Sequence, residues 1–189
     1  MRREKDECTF CRNDFPYDFQ LISNAPRYWL FVLNMNPQSD FHCLLVLKAA
    51  LMKTIGHISD LGDRRLPGDV MKELGLLMNK ASIAIRSSDQ TIKKVFLASL
   101  NTGSKSKHIH VHLIPKRKGE KVRTVNNPYD EGGGLFFLAR KEIVVDTLRE
   151  FIESTTGSTR LKDAIARSTK AKLVRNSRIL KANFDRIWN

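Results

Sequence analysis

The stretch SKHIHVHLIPKR, residues 106–117, holds three of the chain's five histidines at every second position. That spacing is the period of a β-strand, in which successive side chains point to opposite faces. His108, His110 and His112 therefore share one face, and Ile109, Val111 and Leu113 share the other. The aliphatic face belongs in a core, so the imidazoles line a surface, a cleft or a metal site. One histidine on a strand is usually a satisfied core or surface residue; three at alternate positions ask for a chemical reason.

Two chemistries compete for the row. His-x-His on a strand can supply two ligands to zinc. Yet His108 and His112 stand about 13 Å apart at about 3.3 Å per residue, so one ion takes at most a neighbouring pair and needs ligands from elsewhere. Phosphate chemistry suits the row better. A neutral imidazole nitrogen can attack phosphorus while its neighbours hold the tautomer and neutralise phosphate oxygens. The preceding loop, NTGSKSK (101–107), brings Gly103, Ser104 and Lys105, the materials of a phosphate cradle.

Outward from this strand, the chain reads as an α+β domain with a mostly antiparallel sheet of about five strands. DFQLISNA (18–25) and YWLFVLNM (28–35) form a hairpin around Ala25-Pro26-Arg27, and HCLLVLK (42–48) and KKVFLASLN (93–101) add two more strands. LMKTIGHISDL (51–61) reads as a short helix. Val70, Leu74, Leu77, Ala81 and Ile85 fall at helical spacings, which predicts an amphipathic helix from an Asp69 N-cap to about Arg86. Residues 116–134 read as a long polar loop, LFFLA (135–139) as a short strand and KEIVVDTLREFIES (141–154) as a helix. The linker STTGST then divides a catalytic domain, 1–157, from a helical extension, 158–189.

Composition narrows the partners. Lys and Arg number 33 against 20 Asp and Glu, a net charge of +13, which favours anionic partners such as nucleotides and nucleic acids. Residues 159–189 alone carry nine Lys or Arg against two Asp. Leu173, Leu180, Phe184 and Ile187 or Trp188 lie on one stripe of that helix, which either packs back on the domain or leaves a basic arm for nucleic acid. The N-terminus MRREKDECTF lacks the apolar core of a secretory signal, and Lys48 interrupts the run LLVLKAALM, so no membrane association is expected. Three cysteines, an odd number, fit a reducing cytoplasm.

HIHVHLI (108–114) resembles the signature of the histidine-triad (HIT) family, in which histidines alternate with hydrophobic residues. ECTFC (7–11), YWLFVLNMNPQSDFHCLLVLK (28–48), LNTGSKSKH (100–108) and DEGGGLFF (130–137) are similar to the segments that surround it in bacterial members, so the resemblance spans roughly residues 7 to 150. It implies a HIT-like fold, usually homodimeric, that binds nucleotides and cleaves at the α-phosphorus without a catalytic cofactor. By that pattern His110 is the nucleophile, His112 donates to the phosphate and His108 supports the site. Asn101 contacts the phosphate or leaving group, Asn34 holds the ribose hydroxyls, and Val32, Met35 and His42 lie near the nucleoside.

Two departures from the pattern carry consequences. The loop from Asn101 to His108 is shorter than in the common nucleotide hydrolases of the family, and Lys105 stands where many members place a Ser or Thr, which bears on the choice of leaving group. The resemblance also implies a structural zinc held by Cys8, Cys11, His108 and a histidine after the third strand. Ala50 occupies that last place, leaving His57 as the substitute. Three functions remain in view: a hydrolase of dinucleoside polyphosphates or nucleoside phosphoramidates, an enzyme of deadenylase or cap-scavenging type acting on nucleic-acid ends, and a non-catalytic nucleotide-binding module.

Overall fold

Strand β5, His110–Arg117, is the hub of a five-stranded antiparallel sheet ordered β1-β2-β3-β5-β4. The computed structural model describes residues 8, 10–12, 15, 17–34, 37, 39–56, 58, 60–99, 108–119, 122–125, 135–138 and 159–188, with side chains for all of these except 122–125, 135–138 and 159–169. Its strands are β1 (Leu21–Ser23), β2 (Trp29–Leu33), β3 (Cys43–Leu47), β4 (Ile92–Ala98) and β5, with β1 and β2 paired antiparallel as the hairpin reading expects. A second, two-stranded sheet pairs β6 (Val122–Val125) with β7 (Leu135–Leu138). β6 falls inside the segment read from sequence as loop, because its flanking charges mask a four-residue strand.

The helices cover one face of the main sheet. Helix α1 runs Ala49–Ile55 and stops at Gly56, whose φ of 86° is the left-handed conformation that glycine adopts at a helix end, so it is shorter than the predicted 51–61. Helix α2 spans Gly68–Ser88 and buries Val70, Leu74, Leu77, Ala81 and Ile85, the expected stripe, together with Ala84. Its cap is corrected: Pro67 precedes the first turn, and Asp69 sits inside that turn, accepting from the Val70 N–H and the Tyr28 hydroxyl. Proline's fixed φ suits a helix start, and an acid in the first turn complements the helix dipole.

Helix α3, Thr159–Trp188, resolves the two readings of the basic segment in favour of packing. Leu173, Leu180 and Phe184 are buried in the same core as Trp29, Phe31, Leu45 and Leu77. The Phe184 ring lies 4.9 Å from that of Phe31. Polar ties lock the helix down: Ser177 donates to the Phe19 carbonyl, Asn183 to the Ser88 hydroxyl, and Lys80 to the Trp188 carbonyl. Its basic side chains Arg175, Arg178, Lys181 and Arg186 stay exposed. Among the described residues no helix is long and apolar enough to cross a membrane.

The opposite face of the sheet is also apolar in its centre. β2 and β3 are buried on both faces, and register places Val32 beside Leu44 beside His112, and Leu30 beside Val46 beside His110. Phe10, Phe15 and Leu21 pack against that second cluster. The histidines thus emerge at the end of two apolar rows.

Candidate active site

His108, His110 and His112 leave the core on the face away from α2 and α3, while Ile109, Val111 and Leu113 enter the main core, as alternation requires. The three imidazoles are not equivalent. His108 is fully buried, and His110 is only 8% exposed. Each has a different hydrogen-bond partner, and the partner sets which nitrogen carries the proton.

His110 Nδ1 lies 2.8 Å from the carbonyl oxygen of His108. A carbonyl only accepts, so Nδ1 holds the proton and Nε2 keeps its lone pair. Burial lowers the His110 pKa, and the backbone bond only partly offsets this, so the ring is neutral near pH 7. A neutral imidazole with an unprotonated Nε2 is the form a nucleophile needs.

His112 is tied to a second imidazole. Its Nδ1 lies 3.0 Å from Nε2 of His42. The Asn34 amide nitrogen sits 3.4 Å from His42 Nδ1 and 3.3 Å from Nε2. One of the two facing nitrogens donates to the other, so the tautomers of His42 and His112 are coupled. Burial, and then the neighbouring His112, hold the His42 pKa down to about 3. Burial, and then His110, hold His112 down to about 4. The His110 and His112 rings stand 5.0 Å apart. The acceptor nitrogen of His110 therefore stands beside a second neutral imidazole.

His108 faces elsewhere. Its Nε2–H donates to the Leu47 carbonyl at 2.6 Å, which leaves Nδ1 as the lone-pair nitrogen. Nδ1 is 3.6 Å from Cys8 Sγ and 3.3 Å from Cys11 Sγ, and the three donor atoms lie within 4.8 Å of one another. Ligands at zinc-sulfur and zinc-nitrogen bond lengths around a tetrahedral ion stand about 3.5 Å apart, so the trio fits three corners of a zinc site. The Phe10 ring packs against both His108, at 5.5 Å, and His110, at 5.6 Å.

The remaining expected residues divide. The structure brings Asn34 and His42 together beside His112, and it buries Val32 completely behind Leu44. Met35, Asn101, Gly103, Ser104, Lys105 and the zinc substitute His57 lie outside the described residues. So does the helix expected over 141–154. Sequence reasoning missed the apolar floor of Leu30, Leu44 and Val46 beside the histidines. The unbroken apolar run WLFVL was the available signal, because a strand with one wet face alternates and this one does not.

The HIT domain family matches residues 20–119, just over half of the chain. Among solved structures, the chain is similar to a hypothetical histidine triad nucleotide-binding protein from Sulfolobus tokodaii, at 15% identity and a TM-score of 0.55, over 95% of this chain and 93% of that one. It is also similar to a Hit-like protein involved in cell-cycle regulation from Bartonella henselae, at 12% identity and a TM-score of 0.52, over 93% and 92%. A zinc-bound histidine triad family protein from Mycobacterium smegmatis shares 23% identity over 66% of this chain and 85% of that one, with a TM-score of 0.49. At such identities the first two likenesses speak to the fold. No curated protein matches the chain. With the domain match over 20–119 and the α+β sheet that carries the histidine row, the chain belongs to the histidine-triad (HIT) family.

Proposed function

We propose that the protein is a nucleotide hydrolase that cleaves at the α-phosphorus of dinucleoside polyphosphates or nucleoside phosphoramidates. One observation carries this reading: His110 is neutral and donates from Nδ1 to the His108 carbonyl, which keeps the lone pair on Nε2, and its ring stands 5.0 Å from that of His112. In the reaction, the Nε2 lone pair of His110 attacks phosphorus, and the bond to the leaving group breaks with its electron pair going to that group. The His112 Nε2–H donates to a phosphoryl oxygen as negative charge builds there. Water then attacks the nucleotidyl-His110 intermediate, the phosphorus–nitrogen bond breaks, and a nucleoside monophosphate departs as His110 recovers its lone pair. The apolar rows ending at Val32 and Leu30 supply a floor for a nucleoside. By the family pattern Asn101, Gly103, Ser104 and Lys105 embrace the phosphates and the leaving group, and Met35 joins the nucleoside pocket.

Turnover of diadenosine polyphosphates and of an AMP-lysine-type phosphoramidate tests the reading. Hydrolysis by the parent and its abolition in His110→Ala are expected; no turnover of either substrate would refute it, and turnover preserved in His110→Ala would remove the nucleophile.

Cys8, Cys11 and His108 are proposed to hold a structural zinc, with His57 as the fourth ligand; the ion would supply a covalent-strength tie between the N-terminal turn and the histidine strand. Metal analysis is expected to find one zinc per chain, lost in Cys11→Ser. The enzyme is proposed to act as a cytoplasmic homodimer. The edge strand β4 exposes Phe96 and Leu97, the latter 48% accessible, and an exposed apolar edge is a template for a second copy. Leu97→Glu should then sediment as a monomer. A second reading, action on nucleic-acid ends, is favoured by the exposed Arg175, Arg178, Lys181 and Arg186 of α3. Exchanging them for Gln should abolish a salt-dependent affinity for single-stranded DNA or RNA; a parent without such affinity ends this reading.

A further inference from the structure

The turn that delivers His42 has an unusual backbone conformation, and one of its contacts comes from outside the HIT domain. Phe41, immediately before His42, has a φ of 64° and is the one non-glycine residue with positive φ among the described residues. Side chains rarely adopt that conformation, and it persists only where the surroundings impose it. Here Phe41 is buried, His42 N–H donates to the Ser39 carbonyl at 3.0 Å, and the Ser39 hydroxyl donates to the Pro115 carbonyl at 3.1 Å.

Asp40 supplies the outward anchor. One carboxylate oxygen meets Arg117 at the end of β5 at 3.0 Å, and Arg117 is itself fixed by Asp89 at 3.0 Å, just beyond α2. The other oxygen meets Lys172 of α3 at 2.7 Å. Arg117 comes from within the matched domain, whereas Lys172 lies more than fifty residues past its end. Only Phe41 separates Asp40 of that pair from His42, the imidazole that contacts His112.

We propose that Lys172 is a positioning residue for the catalytic histidines. Its ion pair with Asp40 fixes the 39–42 turn, keeps Phe41 left-handed and holds His42 Nε2 against His112 Nδ1. The C-terminal helix thereby becomes a working part of the active site. Lys172 is 56% exposed, and an exposed ion pair adds little to global stability, so geometry and stability separate cleanly in a variant.

The inference rests on the reading of His110 and His112 as catalytic, and two measurements keep the two claims apart. The first is imidazole nitrogen NMR of the substrate-free protein. It should show one fixed tautomer each for His42 and His112 in the parent and in Lys172→Arg, and averaged tautomers for both in Lys172→Ala. The second is hydrolysis of the phosphoramidate. Lys172→Ala should lose about tenfold in kcat with KM within about twofold, Lys172→Arg should recover the rate, and Lys172→Ala should add nothing further in an Asp40→Asn background. Tm should stay at the parent value throughout. Unchanged histidine spectra in Lys172→Ala overturn the positioning role whatever the kinetics. An inactive parent whose spectra do change overturns the hydrolase reading alone.

Discussion

The two faces of the sheet bury side chains to a similar degree and use that burial for opposite ends. Toward the helices, Trp29, Phe31, Leu45, Val111 and Leu113 meet α2 and α3, and exclusion from water becomes stability. On the other face, His108, His110 and His112 meet Leu30, Leu44, Val46 and Phe10, and exclusion from water becomes chemistry. Desolvation there keeps the His110 and His112 imidazoles neutral, and the hydrogen bond to the His108 carbonyl fixes which nitrogen of His110 bears the proton. Strand β5 contributes alternate residues to both. The same physical effect, applied to carbon on one side and to nitrogen on the other, yields a core and the proposed active site.

The sharpest way to break this comparison is to cut each face and see which property fails. His110→Ala should lower kcat at least about 10⁴-fold, with a Tm close to the parent's, because it deletes the nucleophile and leaves the helix-side core intact. Steady-state kinetics and calorimetry on one preparation check both halves. Phe184→Ala should show the converse. Emptying the space against Phe31 should cost about 3–5 kcal/mol by urea denaturation, while the folded fraction retains its turnover.

Two smaller effects sharpen the picture on the histidine side. His42→Ala removes the hydrogen-bond partner of His112 Nδ1, and kcat should fall about 10²-fold with little change in KM. The pH dependence of stability follows from the depressed imidazole values. His42 and His112 titrate near 3 and 4 in the folded protein and at the ordinary 6.5 when unfolded, so below pH 6.5 the unfolded chain binds more protons. Stability is then full above about pH 6.5 and falls as pH drops toward 4, by at most about 1.4 kcal/mol per pH unit for each histidine. Urea midpoints at pH 7.5 and 5 measure this, and the slope should shrink in the His42→Ala variant.

Much of this arrangement is legible in the sequence because it is written in local periodicity. The alternation in HIHVHLI assigns a strand and sorts its faces, and the spacing of Val70, Leu74, Leu77, Ala81 and Ile85 assigns the buried stripe of α2. What stayed hidden depends on tertiary neighbours. Positions 40, 89, 117 and 172 are far apart in the chain, and nothing in any one of them announces an ion-pair network. Phe41 adopts a left-handed φ without the glycine or asparagine that would advertise it. The Asp69 cap lost to Pro67 because a proline's fixed φ starts the helix two residues earlier. The zinc half-site was visible as Cys8-x-x-Cys11, but only folding shows His108 Nδ1 turned toward both sulfurs.

The central claim is that Nε2 of His110 forms a bond to phosphorus. Rapid acid-free quenching of the protein with a nucleoside phosphoramidate, followed by intact-mass analysis and peptide mapping, observes that bond directly. One nucleotidyl group per chain on the peptide bearing His110, absent from His110→Ala, is the predicted result; steady turnover with no adduct, or an adduct mapped to another residue, would contradict it.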